Sequence, residues 1–145
     1  MIKSYKGSET HVVIPSLIGK RRVSVLADRA FYPWEEANYD NNEALCAIGT
    51  IELPLGMEMI GDQAFGSMGS LKKVSLPSTL TSIGEAAFAC CVNLEEIVIP
   101  ESVTEIGESA FALCRALKKV VAPQGLKKRK KFIFGDDVDA DFEWV

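Results

Sequence analysis

Residues 53–75, 76–98 and 99–121 read LPLGMEMIGDQAFGSMGSLKKVS, LPSTLTSIGEAAFACCVNLEEIV and IPESVTEIGESAFALCRALKKVV, three units of equal length. Pro54, Pro77, Pro100 and Pro123 fall 23 residues apart. Four further sets keep the same interval: Gly61, Gly84 and Gly107; Ala64, Ala87 and Ala110; Phe65, Phe88 and Phe111; Leu71, Leu94 and Leu117. Self-similarity at one fixed period of this length predicts a repeat architecture, in which stacked units share a continuous core.

Degenerate units flank the three full ones. Upstream, Val12 to Pro15 begin a unit whose Ala30 and Phe31 match the Ala-Phe pair, with five residues inserted at SLIGKRR and eleven more around YPWEEANYDNNEALC. Downstream, the residues that stay in register with Pro123 are Leu126, Ile133 and Phe134, whereas Arg129 and Lys130 replace the Ile-Gly pair. The repeat therefore fails at that point.

The pattern LxxVxLPxxLTxIGxxAFxxCxxL, present from about Val12 to Phe134, resembles the BspA-type leucine-rich repeat, also described as the Treponema pallidum-type repeat. The resemblance implies binding and adhesion roles, often on bacterial or protozoal cell surfaces, and indicates no particular ligand. We expect a single leucine-rich-repeat domain over 1–145, with a degenerate first repeat at 9–47, full repeats at 48–122, and a half repeat with a C-terminal cap at 123–145.

Each unit contains a short strand, LKKVSLP, LEEIVIP or LKKVVAP, which alternates with period two and ends at proline. The Ile-Gly pair follows, where glycine allows a sharp corner, and then a Glu-Ala-Ala-Phe segment that favours a helical turn. One unit cannot bury its own apolar residues, whereas stacked units bury them as ladders. We predict an α/β fold: a short horseshoe segment of leucine-rich-repeat solenoid, with one parallel sheet and short helical or 3₁₀ turns on the opposite face.

Charged residues on the strands alternate in sign when the units are aligned by their prolines. One outward row holds His11, Thr50, Lys73, Glu96 and Lys119, and the adjacent row holds Lys72, Glu95 and Lys118. Parallel neighbours lie about 4.8 Å apart, so Lys-Glu-Lys is a favourable cross-strand order. This favours a structural role for the charges over selection for a ligand, although His11, Lys73, Glu96 and Lys119 remain candidate partner-binding residues.

The C-terminal segment VDADFEWV alternates apolar and acidic residues, which predicts a half-buried strand. It could pair beside Lys118 and Lys119 and cap the solenoid, because terminal ladders need covering. The basic run from Lys127 to Lys131 precedes it. A basic run beside an acidic strand is more typical of a solvated, self-neutralising surface than of an anion or nucleic-acid site, and no aromatic residue interrupts the run for base stacking.

Composition narrows the classes of function. The chain has 145 residues, 48% hydrophobic and 25% charged, with a net charge of -4 that argues against a wholly basic nucleic-acid-binding face. The N-terminus lacks a signal-peptide core, and no apolar run approaches the roughly 18 residues of a membrane span. We predict no nucleic-acid partner and no membrane insertion. The location would be cytoplasmic if Met1 is the native start, whereas the resemblance suggests a secreted or cell-surface protein.

The sequence offers no catalytic constellation, so we predict a protein that is not an enzyme and that uses no cofactor and no metal. Four cysteines, Cys46, Cys90, Cys91 and Cys114, show no metal-ligand spacing and are interpreted as free, buried thiols, although spacing alone does not exclude a Cys91–Cys114 disulfide. Asp137, Asp139 and Asp141 have EF-hand spacing, but Phe142 stands where that loop needs glycine. The single histidine, His11, lies in the outward row, away from inward cysteines.

The eleven-residue insertion carries Tyr32, Trp34 and Tyr39 among acidic and amide residues. Aromatic side chains on a loop are common in recognition surfaces, so these three are candidate partner-binding residues. The alternative is that Trp34 folds back as an N-terminal cap. About five strands expose a sheet face on the order of 300 Å², against about 800 Å² per partner in a standard interface. A specific partner would therefore also need this loop.

Two hypotheses follow from different classes. The first is a non-catalytic module that binds a protein or a cell-surface ligand. The second is a structural or self-assembly unit that associates weakly through its solenoid ends.

Overall fold

The computed structural model describes residues 10–34 and 42–145. These residues form twelve strands, two α-helices and one 3₁₀ helix. The strands are β1 His11–Val13, β2 Leu17–Ile18, β3 Arg21–Arg22, β4 Val25–Leu26, β5 Thr50–Glu52, β6 Met59–Ile60, β7 Lys73–Ser75, β8 Ser82–Ile83, β9 Glu96–Val98, β10 Glu105–Ile106, β11 Lys119–Ala122 and β12 Asp141–Trp144. Helix α1 spans Asn42–Ala47, the 3₁₀ helix spans Gln124–Arg129, and α2 spans Lys130–Phe134.

The longer strands form the main sheet of the solenoid, which we define as β1, β5, β7, β9, β11 and β12. Strands β1, β5 and β7 pair in parallel, as do β9, β11 and β12. Between β7 and β9, the Glu95 N–H donates to the Lys72 carbonyl at 3.1 Å. In the strand register, Thr50 lies opposite His11 on one side and Lys73 on the other, and Lys119 lies opposite Glu96. The predicted outward row is therefore confirmed.

A second parallel ladder runs along another side of each coil, with the order β4, β6, β8, β10. The sequence predicted one parallel sheet and did not indicate this ladder, because its strands have two residues each, too few for a period-two pattern. Ile60, Ile83 and Ile106 point inward from it and are buried. The predicted leucine-rich-repeat fold is confirmed, and the second ladder is an addition to it.

Glycine is required beside this ladder because adjacent coils come very close. The sequence suggested that Gly84 allows a corner, yet its φ is not in the left-handed region. A Cβ placed there would lie 2.6 Å from the Asp62 nitrogen and 2.6 Å from the Gly61 carbonyl carbon. A Cβ added at Gly61 or at Gly107 would come equally close to the backbone of the preceding coil. The repeated glycine therefore serves close backbone approach rather than a special dihedral.

The Glu-Ala-Ala-Phe segments form turns rather than the expected helical turns in the full repeats. Ala86 adopts a left-handed φ of 50°, and Gln63 and Ser109 share this conformation at φ 52° and 54°. The turns bond to the next coil, as where the Gln63 N–H donates to the Glu85 carbonyl at 2.8 Å, and also within themselves, as where the Gly66 N–H donates to the Gln63 carbonyl at 3.0 Å. In the last coil, the same side carries the 3₁₀ helix and α2.

Five phenylalanines stack through the centre of the molecule and form what we call the aromatic column: Phe31, Phe65, Phe88, Phe111 and Phe134. Their ring centroids lie 5.0 to 5.2 Å apart, and all five rings are buried. The Phe88 and Phe111 planes differ by only 4°. The core is thus a set of ladders along the solenoid axis, as the repeat predicted.

Peptide groups next to this column form a continuous chain of hydrogen bonds, the peptide spine. The Phe65 N–H donates to the Ala87 carbonyl and the Phe88 N–H to the Ala110 carbonyl, both at 2.8 Å. The spine begins at the Phe31 N–H, which donates to the Ala64 carbonyl, and ends where the Phe111 N–H donates to the Ile133 carbonyl. Each Ala-Phe peptide group both accepts and donates, so all spine bonds point the same way.

The C-terminal end is covered by three separate contacts. Strand β12 pairs in parallel with β11 and places Asp141 beside Lys119, which confirms the predicted capping strand. Phe142 packs edge-on against Phe134, with centroids 5.0 Å apart and planes at 86°. Arg129 Nη2 donates to the Ile106 carbonyl at 2.7 Å, in the place where a glycine N–H of the next coil would bond. The side chain that interrupts the repeat therefore closes the second ladder.

Candidate functional site

The outward row is the best-ordered polar feature of the main sheet. Its four titratable side chains are about half exposed, from 49% at Glu96 to 60% at Lys119, whereas Thr50 is half-buried. Lys73 Nζ lies 2.9 Å from Glu96 Oε1, and Lys119 Nζ lies 3.8 Å from Glu143 Oε2 on the capping strand. The ladder fixes the spacing of these side chains, so the row presents alternating charge on a rigid surface.

The electrostatics of the row follow from its sign alternation. The hydrogen bond and the positive charge of Lys73 hold the pKa of Glu96 below its usual range, and Lys119 acts in the same direction from the other side. Glu96 is therefore a carboxylate over the physiological pH range. At the first strand, His11 Nε2 lies 3.4 Å from Glu52 Oε1. These charges are largely paired with each other, in line with the structural role that the sequence favoured.

The aromatic candidates lie on a different side of the coil. Tyr32 follows Phe31 of the aromatic column, and its Cδ2 atom lies 3.3 Å from the position that a Cβ on Gly66 would take. Trp34 is 59% exposed, so its ring does not bury itself as a cap, and that alternative is wrong. Tyr39 lies outside the described residues. The structure thus brings His11, Lys73, Glu96 and Lys119 together on the sheet and places Tyr32 and Trp34 on the turn side.

The insertion at SLIGKRR forms a feature that the sequence did not assign to any function. Strands β2 and β3 make an antiparallel hairpin, with Gly19 at a left-handed φ of 63° in its turn. Leu17 and Ile18 on this hairpin are 55% and 54% exposed. The only sequence signal was the departure from the 23-residue period, which marks an insertion but not the surface that it forms.

The four cysteines are all free thiols, in two environments. Cys91 and Cys114 are fully buried, and their thiols donate to the carbonyls of Phe65 and Phe88 at 3.1 and 3.2 Å. Cys46 and Cys90 are partly exposed, so the prediction of buried thiols is confirmed for the first pair and wrong for the second. Burial raises the pKa of Cys114 to about 12 and that of Cys91 well above its usual value.

Thiol titration should separate these environments. In the folded protein, 5,5′-dithiobis(2-nitrobenzoic acid) is expected to modify Cys46 and Cys90 and to spare Cys91 and Cys114, because only an accessible thiolate reacts. Unfolding in guanidinium chloride should then release two further reactive thiols. Cys90→Ser is the matched control: it should lower the native count from two to one and the unfolded total from four to three, so that two further thiols still appear on unfolding. An equal count in the native and unfolded states would contradict the burial of Cys91 and Cys114.

The basic run is mostly engaged within the molecule. Lys131 Nζ lies 2.9 Å from Asp136 Oδ2, and Lys130 Nζ lies 3.8 Å from the centre of the Phe142 ring. Arg129 bonds to the Ile106 carbonyl, which leaves Lys127 and Lys128 as exposed lysines of the 3₁₀ helix. Across the described ranges, no group of three or more His, Cys, Asp or Glu side chains is arranged to hold a metal ion.

A family model covers most of the chain. Residues 41–138 match the model of the BspA type leucine rich repeat region, in six copies. The chain belongs to the BspA-type leucine-rich-repeat family. The resemblance drawn from the repeat pattern is therefore confirmed, and with it the leucine-rich-repeat fold.

Solved structures agree with this family. A leucine rich cell surface protein from Faecalibacterium prausnitzii has 23% identity and a TM-score of 0.75, over 97% of this chain and 34% of its own. The Treponema pallidum leucine rich repeat protein has 26% identity and a TM-score of 0.65, over 97% of this chain and 72% of its own. The pneumococcal vaccine antigen PcpA has 20% identity and a TM-score of 0.72, over 97% and 33% respectively. No curated protein matches the chain.

This BspA-type chain spans 34% of the length of the Faecalibacterium cell surface protein. The family is generally one of protein-binding or surface-binding repeats, and the Faecalibacterium protein and PcpA both extend well beyond the matched region. Within 10–34 and 42–145, no helix is both long and apolar enough to cross a membrane. The family therefore indicates a binding role. It does not identify the binding surface, which is inferred from this chain's own residues.

Proposed function

We propose that this chain is a non-catalytic binding module that recognises a partner protein or another ligand on a cell surface outside the cell. The observation that carries the proposal is the outward row, because its half-exposed charges stand at fixed spacing on a parallel sheet. A rigid array lowers the entropy cost of ordering side chains on binding. The cell-surface setting is supported by the similarity to the leucine rich cell surface protein from Faecalibacterium.

The row supplies charge complementarity rather than bulk affinity. The sheet face that carries the row has an area on the order of 300 Å², which is smaller than one side of a standard interface, so a second contact region is needed. We assign Trp34 to that second contact region, because it is 59% exposed on the turn side. Tyr32 and Tyr39 lie near it in the sequence. Trp is among the residues that most often dominate interface energies.

An array of purified secreted and cell-surface proteins, probed with the labelled chain, tests the proposal. For any protein that binds, the variant Lys73→Glu/Lys119→Glu should weaken the affinity by about tenfold or more, because each reversal puts like charges across the interface. The matched control is Lys127→Glu/Lys128→Glu, which reverses two exposed lysines on the 3₁₀ helix and should change the affinity little. Biolayer interferometry gives the affinities, and circular dichroism checks that each variant is folded.

Trp34→Ala in the same assay tests the turn side separately. The proposal fails if no array protein binds, or if neither the row variant nor Trp34→Ala alters binding. Light scattering over a concentration series addresses the alternative of a self-assembly unit, since growth of the mean mass with concentration would favour that alternative.

A further inference from the structure

Apolar side chains are unusually exposed around the β2–β3 hairpin. Val13 on β1 is 59% exposed, Leu17 and Ile18 on the hairpin are 55% and 54% exposed, and Leu55 after β5 is 70% exposed. Single exposed apolar residues are common, but a contiguous group of them marks an interaction site or a ligand groove. Of these, Val13, Leu17 and Leu55 come from three separate segments and line one groove.

These segments enclose a groove of about 810 Å³, which we call the hairpin groove. Val13, Leu17 and Leu55 form its apolar lining, and Arg22 and Glu52 contribute its charged side chains. Its volume falls within the range of binding clefts, and an apolar lining with a few polar groups is the usual composition of such clefts.

The walls of the hairpin groove are held by hydrogen bonds. The Val23 N–H donates to the Ser16 carbonyl at 2.9 Å and closes the base of the hairpin. On the opposite wall, the Gly56 N–H donates to Thr79 Oγ1 at 2.9 Å. The Arg22 side chain reaches across to Gly56, where its Cδ lies 3.5 Å from the position of an added Cβ. The groove is therefore preformed, which lowers the entropy cost of binding.

The charge beside the groove is positive, in a chain of net charge -4. Lys20, Arg21 and Arg22 follow one another on the hairpin and are exposed. In the part of the chain that the structure describes, none of the three forms an ion pair with a carboxylate. Glu52 is the carboxylate of the lining, and it lies on the far side, 3.4 Å from His11. Arg22 lines the groove and Lys20 lies at the hairpin turn beside it, whereas Arg21, the register partner of Ile18, points away on the opposite face of the hairpin.

We infer that the hairpin groove binds an extended acidic segment of a partner protein, whose apolar side chains fill the groove while its Asp or Glu side chains pair with Arg22 and Lys20. The inference rests on the proposed function, in that the ligand is a protein, but it uses a surface separate from the outward row. Together the two surfaces offer the contact area that the sheet face lacks.

The shape of the site favours a peptide over a membrane. Leu17, Val13 and Leu55 face one another across a groove, whereas residues that anchor a protein in a bilayer project from a flat or convex surface. An extended chain can place alternate side chains in the groove and at its basic rim, because successive side chains of a strand point in opposite directions.

A random peptide library displayed on phage and selected on the whole chain tests the inference. Enriched peptides should share apolar residues flanked by Asp or Glu. Synthetic fluorescein-labelled copies should bind the variant Lys20→Gln/Arg22→Gln about tenfold more weakly in fluorescence anisotropy. Leu55→Ser should weaken binding by a similar factor, since Leu55 is exposed and its replacement leaves the core intact. Affinity for the unmodified chain should fall as sodium chloride rises.

Lys127→Gln/Lys128→Gln is the matched control, because it removes two exposed charges at another place and should leave the affinity unchanged. Peptides without acidic residues, or binding that is indifferent to the hairpin variants, would overturn the inference. Sedimentation with phosphatidylserine vesicles would also overturn it if the chain bound them through Lys20 and Arg22. The hairpin variants retain Lys73, Lys119 and Trp34. A negative result with them would therefore reject the groove and not the outward row, and a negative result with the row variants would reject the row and not the groove.

Discussion

Gly84→Ala is expected to lower the free energy of unfolding by about 3 kcal/mol. The new Cβ would lie 2.6 Å from both the Asp62 nitrogen and the Gly61 carbonyl carbon. Both atoms belong to the backbone of the preceding coil, which is fixed by its own ladder and cannot rotate away as a side chain could. The Gly84 N–H also donates to the Ile60 carbonyl at 2.8 Å, so separating the coils would break that bond.

The matched control for this substitution is Gly69→Ala. A Cβ on Gly69 would meet nothing within 4 Å, and its φ is not left-handed. Its effect should stay within about 0.5 kcal/mol. Urea unfolding followed by circular dichroism gives both values. Equal stability of the two variants would show that the coils can move apart without cost and that close approach does not explain the repeated glycine.

Phe88→Ala should cost about 4 kcal/mol of unfolding free energy, within the range for buried phenylalanine. Phe88 is fully buried and stacks on two rings, with centroids 5.0 Å from Phe65 and 5.1 Å from Phe111. Deleting it opens a cavity at the centre of the aromatic column. Because the backbone here carries the peptide spine, the coils cannot collapse into that space.

Phe132→Ala removes the same atoms from a ring that is 43% exposed, and it serves as the control. That ring lies under the Arg129 guanidinium at 4.9 Å, so a loss of about 1 kcal/mol or less is expected. Guanidinium chloride midpoints for the two variants, with a common slope, provide the comparison. If Phe132→Ala proved as destabilising as Phe88→Ala, the column would not be the main source of core stability.

The fold was predictable because several residue types recur at the same 23-residue interval. Prolines at strand ends and buried phenylalanines set the same 23-residue register, and cross-strand partners then follow by counting. Counting does not reveal why Gly84 is needed, because a close backbone approach and a left-handed φ both select glycine at a position. Nor does it show that Arg129 replaces a backbone donor, because a side-chain bond to Ile106 depends on three-dimensional reach.

The candidate site was predictable only where the period holds. His11, Lys73, Glu96 and Lys119 were placed correctly because each lies on a strand of known register. The hairpin at Leu17 to Arg22 interrupts the period, and its exposed apolar residues read in sequence like ordinary core residues. Whether an inserted leucine turns inward or outward is decided by the turn at Gly19 and by packing against the groove, which no local pattern encodes.

The peptide spine has an electrical consequence. Its Ala-Phe peptide groups are joined head to tail from Phe31 to Ile133, and the bonds at Gln63 and Ala86 run beside it in the same sense. Aligned peptide dipoles add, as they do along a helix, and hydrogen bonds in series polarise one another. The turn side of the solenoid therefore carries an axial dipole with its positive pole toward α2. Each added coil would lengthen that dipole, so its moment grows with the number of repeats while its electrostatic effect stays concentrated at the two ends of the solenoid.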